Sequence, residues 1–149
     1  MGDPRFAKQV SVFLENRMGR LSEVCSIMGR ARVNLRAFCT ADTTEFGILR
    51  MIVSEPDRAV AALRANHYAV QEVDVLAIQI DDRPGQLARA LGVLANEGIN
   101  VEYLYAFVTP LEGQAIVILR VNDEAKERAW EVLTTEGLTT LAPERVYAM

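Results

Sequence analysis

The feature that most constrains how this chain of 149 residues folds is an internal repeat with an offset of 66 residues. The segment Arg17–Leu21 aligns with Arg83–Leu87, and the same offset takes Asn34 to Asn100. No gap is needed as far as about residue 60, beyond which the two copies slip by a few positions. Self-similarity at a fixed period indicates that each copy is one supersecondary unit. We therefore predict two repeats, at residues 5–73 and 74–149.

Each half has the same predicted order of elements: strand, helix, strand, strand, helix, strand. Val10, Val12 and Leu14 alternate as in a strand. The helix that follows has helical spacing of apolar residues, with its buried stripe expected at Leu21, Val24, Cys25 and Met28. Two successive strand–helix–strand units give an α+β fold, an antiparallel sheet with two helices on one face.

The third strand of each half is apolar on both faces, because Ile52 and Ile118 point away from the other apolar residues of their strands. A two-layer unit needs only one apolar sheet face. The second face is therefore expected to be covered, by the other repeat or by another chain. On this ground we expect a homodimer.

The turn before the first helix contains the groups expected to bind a ligand. Gly19 permits a tight turn, and the first N–H groups of a helix lack intrahelical partners and lie at its positive end, which suits a carboxylate. Asn16 and Asn34 add amides that both donate and accept, and both are expected at one end of the unit. Such a set predicts a receptor for a free amino acid. The alternative is an ordinary strand-to-helix turn whose asparagines cap the backbone.

The duplicated motif resembles the ACT domain, a small-molecule-binding regulatory module of amino-acid metabolism, over roughly residues 7–147. The resemblance implies two tandem ferredoxin-like βαββαβ units that bind ligands at the strand–helix loop, usually at an interface between ACT units. The ligand-binding residues it implies are Asn16, Arg17, Met18, Gly19, Arg20, Leu21 and Asn34 in the first repeat, and Asp82, Arg83, Pro84, Gly85, Gln86, Leu87 and Asn100 in the second.

The motif has two departures from the family pattern. Met18 stands where the family often has proline, and Asp82 replaces an amide. The negative charge of Asp82 favours an ammonium group and opposes a nearby carboxylate, so the two sites need not bind equally. Arg17 and Arg83 are expected to form surface ion pairs rather than to bind an anionic ligand.

Composition argues against several other classes of function. With 16 basic and 20 acidic residues the net charge is −4, which argues against nucleic acid as a partner. No apolar stretch approaches the length of a membrane span, and the start lacks a signal-peptide pattern, so we expect a cytoplasmic protein. Two cysteines and one histidine give no basis for a metal site, and no cofactor is expected.

We find no nucleophile–base pair and no acid–base pair, so the chain is not expected to be an enzyme. Hydrolysis of acyl phosphates by a small protein of this topology remains an alternative. The sequence predicts an amino-acid sensor. A second alternative is a regulatory subunit of an amino-acid biosynthetic enzyme such as acetolactate synthase, whose small subunit the segment from Val12 to Asn34 also resembles.

Overall fold

The computed structural model describes residues 2–42, 45–107 and 112–149, and within them the chain forms seven strands and five helices. In chain order these are β1 (Ala7–Glu15), α1 (Arg20–Arg30), β2 (Leu35–Asp42), β3 (Phe46–Val53), α2 (Pro56–Ala65), β4 (Ala69–Asp81), α3 (Gln86–Asn96), β5 (Tyr103–Ala106), β6 (Gln114–Arg120), α4 (Lys126–Thr135), β7 (Thr139–Thr140) and α5 (Pro143–Ala148). Every pairing described below is antiparallel, and the α+β class expected from the sequence is confirmed.

The chain divides into two compact units between Val73 and Asp74. The first unit contains residues 8–73, and the second contains residues 74–146. The ends of the chain are exchanged, because the N-terminal segment up to Ala7 belongs to the second unit and Tyr147–Met149 belongs to the first. The sequence contains no signal for this exchange. None of the helices in the described part of the chain is long and apolar enough to cross a bilayer.

In the first unit the strand order is β2-β3-β1, with Val12 opposite Leu49 and Leu14 opposite Gly47. One sheet face packs against α1 and α2 around a core that includes Met28, Met51 and Leu63, all fully buried. Pro56 occupies the first position of α2, where its missing N–H costs nothing.

In the second unit β7, β4, β6 and β5 follow one another, with Ile78 opposite Val117. Its core lies between this sheet and the helices α3 and α4 and includes Leu94, Leu119 and Leu133. Each unit therefore has its own hydrophobic core on the helix-bearing face of its sheet.

The strand registers correct the gap-free alignment of the two copies. Ala37 pairs with Ile52 in the first unit, whereas Tyr103 pairs with Arg120 in the second. The offset of 66 thus holds for β2 and β5, but β3 and β6 are related by 68. The β5–β6 hairpin is thus two residues longer than the β2–β3 hairpin. The offset between the helices α2 and α4 is 70 residues.

The junction between the repeats is a single strand, β4, which runs through 13 residues without a break. The second repeat ends differently from the first, because its last strand, β7, has only two residues and is followed by α5. The repeat pattern does not predict α5, because α5 has no counterpart in the first repeat.

On the second face of each sheet, the isoleucine from which a covering partner was expected is buried. Ile52 and Ile118 are completely inaccessible within a single chain, and both lie outside the two helix-side cores. A single chain therefore already covers these residues, and their burial gives no support to a homodimer. The homodimer remains a prediction.

Helix α1 is rotated relative to the expected orientation. Its buried residues are Val24, Ile27 and Met28, whereas Cys25 is exposed and Leu21 is about half exposed. The prediction that Cys25 lies on the buried stripe is wrong. Because helical spacing fits two neighbouring stripes about equally well, only packing against the sheet selects one of them.

The N-terminal segment is anchored in the second unit by Phe6, which is buried in that unit's core. The Arg5 guanidinium lies 5.3 Å from the centroid of the Phe6 ring and 5.8 Å from that of Trp130. It also pairs with Asp3 at 2.7 Å, and this hydrogen bond lowers the pKa of the Asp3 carboxyl to about 2. The second repeat is thus completed by residues from the other end of the chain.

We predict that Phe6→Ala lowers the free energy of unfolding by about 3–4 kcal/mol, because it leaves a cavity in a packed core. In this variant, backbone amides of residues 74–146 are expected to lose protection from hydrogen exchange. Amides of residues 8–73, although closer to Phe6 in sequence, are expected to lose less. Phe13→Ala, at a half-exposed ring, is the matched control. A loss of protection confined to residues 8–73 would contradict the exchange of termini.

Candidate functional site

The two strand–helix elbows have nearly the same backbone geometry. Gly19 has φ 86° and ψ −10°, and Gly85 has φ 88° and ψ −13°, so both adopt the left-handed conformation that glycine tolerates best. In each elbow the chain leaves its strand through a three-residue turn, since Arg17 N–H donates to the Glu15 carbonyl and Arg83 N–H to the Asp81 carbonyl. The repeated glycine therefore turns the chain from strand into helix in both units.

The N-terminus of α1 has no side-chain cap among the residues that the structure describes, because glycine occupies the N-cap position. Such a helix start presents backbone donors and a positive partial charge. The same is true of α3. The structure thus retains at both elbows the backbone feature from which the sequence predicts anion binding.

A cavity of about 230 Å³ opens at the first elbow, and we call it the elbow cavity. It lies between the end of β1, the first turn of α1, the end of β2 and the start of β3. Its lining residues are Leu14, Glu15, Asn16, Arg17, Gly19, Arg20, Leu21, Ser22, Thr40, Asp42, Gly47 and Ile48.

Of the residues predicted in the first repeat, Asn16, Arg17, Gly19, Arg20 and Leu21 line this cavity together. Met18 is fully exposed to solvent. Leu21 lines the cavity because the rotation of α1 takes its side chain out of the core.

Asn34 lies elsewhere in the unit. The Asn34 N–H donates to Ser54 Oγ at 2.9 Å, beyond the last residue of β3, whereas the Asn16 N–H donates to the Glu45 carbonyl, just before the first. Asn16 and Asn34 are therefore separated by slightly more than the length of β3, roughly 25–30 Å. The expectation that they lie at one end of the unit is wrong, since the chain runs down α1 between them.

The arginines of the two elbows form the surface ion pairs expected of them. Arg17 Nη1 lies 2.8 Å from Glu15 Oε2, and Arg83 Nη2 lies 2.8 Å from Asp81 Oδ2. Arg17 lowers the pKa of Glu15. The pKa of Asp81 is also lowered, first by the side chain of Gln114 and then by Arg83.

The second elbow exposes most of its predicted residues. Asp82, Arg83, Pro84, Gly85, Leu87 and Asn100 are exposed, and Gln86 is half-buried. The Asp82 N–H donates to the Gly113 carbonyl at 3.0 Å, as Asn16 does to Glu45 in the first repeat. The hairpin next to this elbow includes residues 108–111, which lie outside the described part of the chain.

Sequence reasoning missed Ser22 in the first turn of α1 and the far wall of the elbow cavity, which consists of Thr40, Asp42 and Ile48. Thr40 and Asp42 alternate on β2, a pattern that also fits the polar side of any edge strand. Only the β2–β3 hairpin places them opposite the start of α1. Within residues 2–42, 45–107 and 112–149, no three His, Cys, Asp or Glu side chains are grouped so as to hold a metal ion.

We predict that Gly19→Ala lowers the free energy of unfolding by about 1–2 kcal/mol, because a Cβ is disfavoured at φ 86°. A Cβ at Gly19 would meet no atom within 4 Å, so the cost is purely conformational. Gly29→Ala, in the last turn of the same helix and equally free of neighbours, is expected to add about 0.5–1 kcal/mol instead. Urea unfolding of both variants measures these changes in the free energy of unfolding. Changes of the same sign in the two variants would contradict the prediction.

The carboxylates at the elbows also give a pH prediction. A lowered pKa stabilises the folded state at pH values above the group's ordinary pKa, and this contribution is lost as the pH falls through the folded-state value. Arg17→Ala is expected to raise the pKa of Glu15, and Gln114→Ala to raise that of Asp81 more than Arg83→Ala does. Carboxyl-carbon NMR titrations measure these values directly. If the pKa of Asp81 changes only in Arg83→Ala, Gln114 is not the main cause of the lowered pKa.

Comparison with known proteins agrees with this architecture. Residues 6–149 match a family model described as an ACT domain pair. The fold is similar to that of protein BT0572 from Bacteroides thetaiotaomicron, with a TM-score of 0.90 and 41% identity over 97% of this chain and 98% of that one.

More distant structures share the fold at low identity. The ligand-free regulatory subunit of aspartate kinase from Thermus thermophilus has a TM-score of 0.61 and 15% identity, over 92% of this chain and 98% of that one. Aspartate kinase from Clostridium acetobutylicum has a TM-score of 0.53 and 12% identity, over 87% of this chain and 33% of that one. No curated protein matches the sequence significantly. The repeated glycine elbows, the two βαββαβ units and the match over residues 6–149 together show that the chain belongs to the family of ACT domain pairs.

Proposed function

We propose that this protein is a non-catalytic sensor that binds a small amino acid in the elbow cavity of its first repeat. The observation that supports this most directly is the composition of that cavity. It combines uncapped backbone donors at the start of α1 with an opposing carboxylate, Asp42, across a space of about 230 Å³.

The carboxylate of the ligand would lie at the N-terminus of α1. Gly19, Leu21 and Ser22 line the cavity there, and the backbone N–H groups at this end of a helix attract an anion. Arg17 and Arg20 add positive charge, although both also pair with Glu15.

The ammonium group of the ligand would face Asp42 at the end of β2, with the Thr40 hydroxyl beside it. A charged acceptor is a stronger partner for an ammonium than a neutral amide. Leu14, Leu21 and Ile48 form the apolar part of the wall and would contact the ligand side chain. These contacts favour a small amino acid with a compact side chain.

ACT domains are regulatory modules, and we propose a regulatory role without catalysis for this chain as well. A ligand changes the output of such a protein when it binds one conformational state more tightly than another. We further propose that the protein acts in the cytoplasm and as a homodimer. The second elbow, with Asp82 exposed in place of an amide, is proposed to bind more weakly.

A thermal-shift screen of the twenty amino acids tests the proposal. An amino acid at 100 times its dissociation constant adds about 2.7 kcal/mol to the free energy of unfolding. Asp42→Asn is expected to weaken the response about tenfold, because it removes the charge that pairs with the ammonium group. Asp123→Asn, at an exposed carboxylate of the second unit, is the matched control.

Stabilisation by no amino acid would contradict the proposal, as would a response that Asp42→Asn leaves unchanged. A subunit of an amino-acid biosynthetic enzyme would use the same cavity. Stoichiometric co-purification of a large enzyme from the native host would identify that arrangement.

A further inference from the structure

A second cavity of the first repeat, of about 430 Å³, lies next to the elbow cavity and shares Leu14, Glu15 and Arg20 with it. We call it the turn cavity, because the turn between α2 and β4 forms one wall. The end of β1, the first turn of α1 and the start of β3 form the others. The ACT motif does not include this wall.

The second repeat has a cavity at the corresponding place. With the offsets given by the strand registers and the helices, nine of the ten lining residues of the turn cavity have counterparts that line a cavity of about 160 Å³ in the second repeat. The position is thus a property of the fold, and the two copies can be compared side chain by side chain.

The two copies differ most in their aromatic residues. Phe13 and Phe46 line the turn cavity and are 45% and 61% exposed. Their counterparts in the second repeat are Gln79 and Gln114. Gln114 donates to Asp81 at 2.8 Å, and the two glutamines lie 3.4 Å apart, so the smaller cavity is lined by amides that bond one another. The fold therefore does not require aromatic rings here.

Tyr68 is a further difference. Its hydroxyl is buried and makes no well-formed hydrogen bond to any described residue, although Arg20 and Glu23 lie close enough to shift its pKa. Its counterpart, Leu138, is an ordinary core residue. A buried hydroxyl without a partner costs stability. Because leucine fills the same position in the second repeat, folding does not explain the tyrosine.

Two carboxylates and one guanidinium line the turn cavity. Arg20 lies 3.2 Å from Glu23 and 3.9 Å from Glu15, and Glu15 also pairs at 2.8 Å with Arg17, which lines the neighbouring elbow cavity. In the second repeat Arg89 replaces Glu23. Exposed aromatic rings beside carboxylates favour an organic cation, since the ring faces and the carboxylates both attract positive charge.

We propose that the turn cavity binds a small organic cation, an amine or guanidinium with an apolar body. The charged group lies beside Glu15 and Glu23, and the body packs against Phe13 and Phe46. Tyr68 also lines the cavity, and its hydroxyl, which lacks a well-formed partner, accepts a hydrogen bond from the charged group of the ligand. The site is distinct from the elbow cavity and does not depend on the function proposed for it.

The chain contains one histidine and one tryptophan, and these provide NMR reporters for the two repeats. His67 lines the turn cavity, whereas Trp130 belongs to the second unit. Phenethylamine added to the full-length protein is expected to shift the imidazole proton resonances of His67 and to leave the indole N–H resonance of Trp130 unchanged. The anionic probe 3-phenylpropionate carries a similar ring and is expected to shift neither.

Three variants complete the test. Phe13→Gln introduces the residue of the second repeat and is expected to weaken phenethylamine binding at least about fivefold, and Glu23→Gln about tenfold. Tyr68→Leu is expected to raise the melting temperature by about 2–4 °C while it weakens binding. Asp42→Asn, which alters only the elbow cavity, is expected to leave phenethylamine binding unchanged.

An unshifted His67 resonance would overturn the proposal, and so would an equal shift by 3-phenylpropionate. Retention of full affinity in both Phe13→Gln and Glu23→Gln would overturn it too. A lower melting temperature for Tyr68→Leu would remove the argument from the buried hydroxyl. The absence of any response to amino acids would count against the elbow cavity alone, because the amine probe reports on different residues.

Discussion

The structure depends on a backbone constraint that occurs twice: a glycine in the left-handed conformation turns the end of a strand into the start of a helix. At Gly19 and Gly85 the dihedral angles agree within a few degrees, although the flanking residues differ. Among the described residues neither helix has a side-chain cap, and its first N–H, that of Arg20 or Gln86, donates to the carbonyl of Arg17 or Arg83 inside the elbow. The geometry that closes each unit therefore leaves the positive end of the helix dipole at the elbow without a side-chain acceptor.

The two repeats keep this backbone and differ in the side chains around it. In the first repeat, apolar and aromatic residues surround the elbow and turn cavities, and charged residues converge on the space between α1 and β3. In the second, Gln79, Gln114 and Asp81 bond one another at the corresponding place. The two copies therefore share one backbone, while ion pairs occupy this place in the first repeat and bonded amides occupy it in the second.

The exchange of chain ends connects each repeat to residues that the sequence places elsewhere. Phe6 completes the core of the second repeat. Tyr147 accepts a hydrogen bond from the Lys8 N–H at its hydroxyl and one from Arg36 Nε at its carbonyl, both in the first repeat. Arg36 is the extra residue at an irregularity in the β2–β3 register, so the local distortion of the strand directs its side chain to the C-terminus. Each repeat therefore depends on the whole chain.

The sequence by itself determined the repeat, the order of the elements up to α4 apart from the single strand at the junction, the two glycine elbows and the ion pairs at Arg17 and Arg83, because local propensity and short-range contacts decide these features. Five residues of the predicted first elbow, Asn16, Arg17, Gly19, Arg20 and Leu21, do line one cavity. Tertiary structure alone decided that Asn34 lies at the far end of β3, that Thr40 and Asp42 form the opposite wall, that Cys25 is exposed, and that two residues are inserted in the second hairpin. These features depend on strand register, on the rotation of a helix against its sheet and on pairing between residues distant in sequence, and none of the three is fixed by the spacing of residue types along the chain.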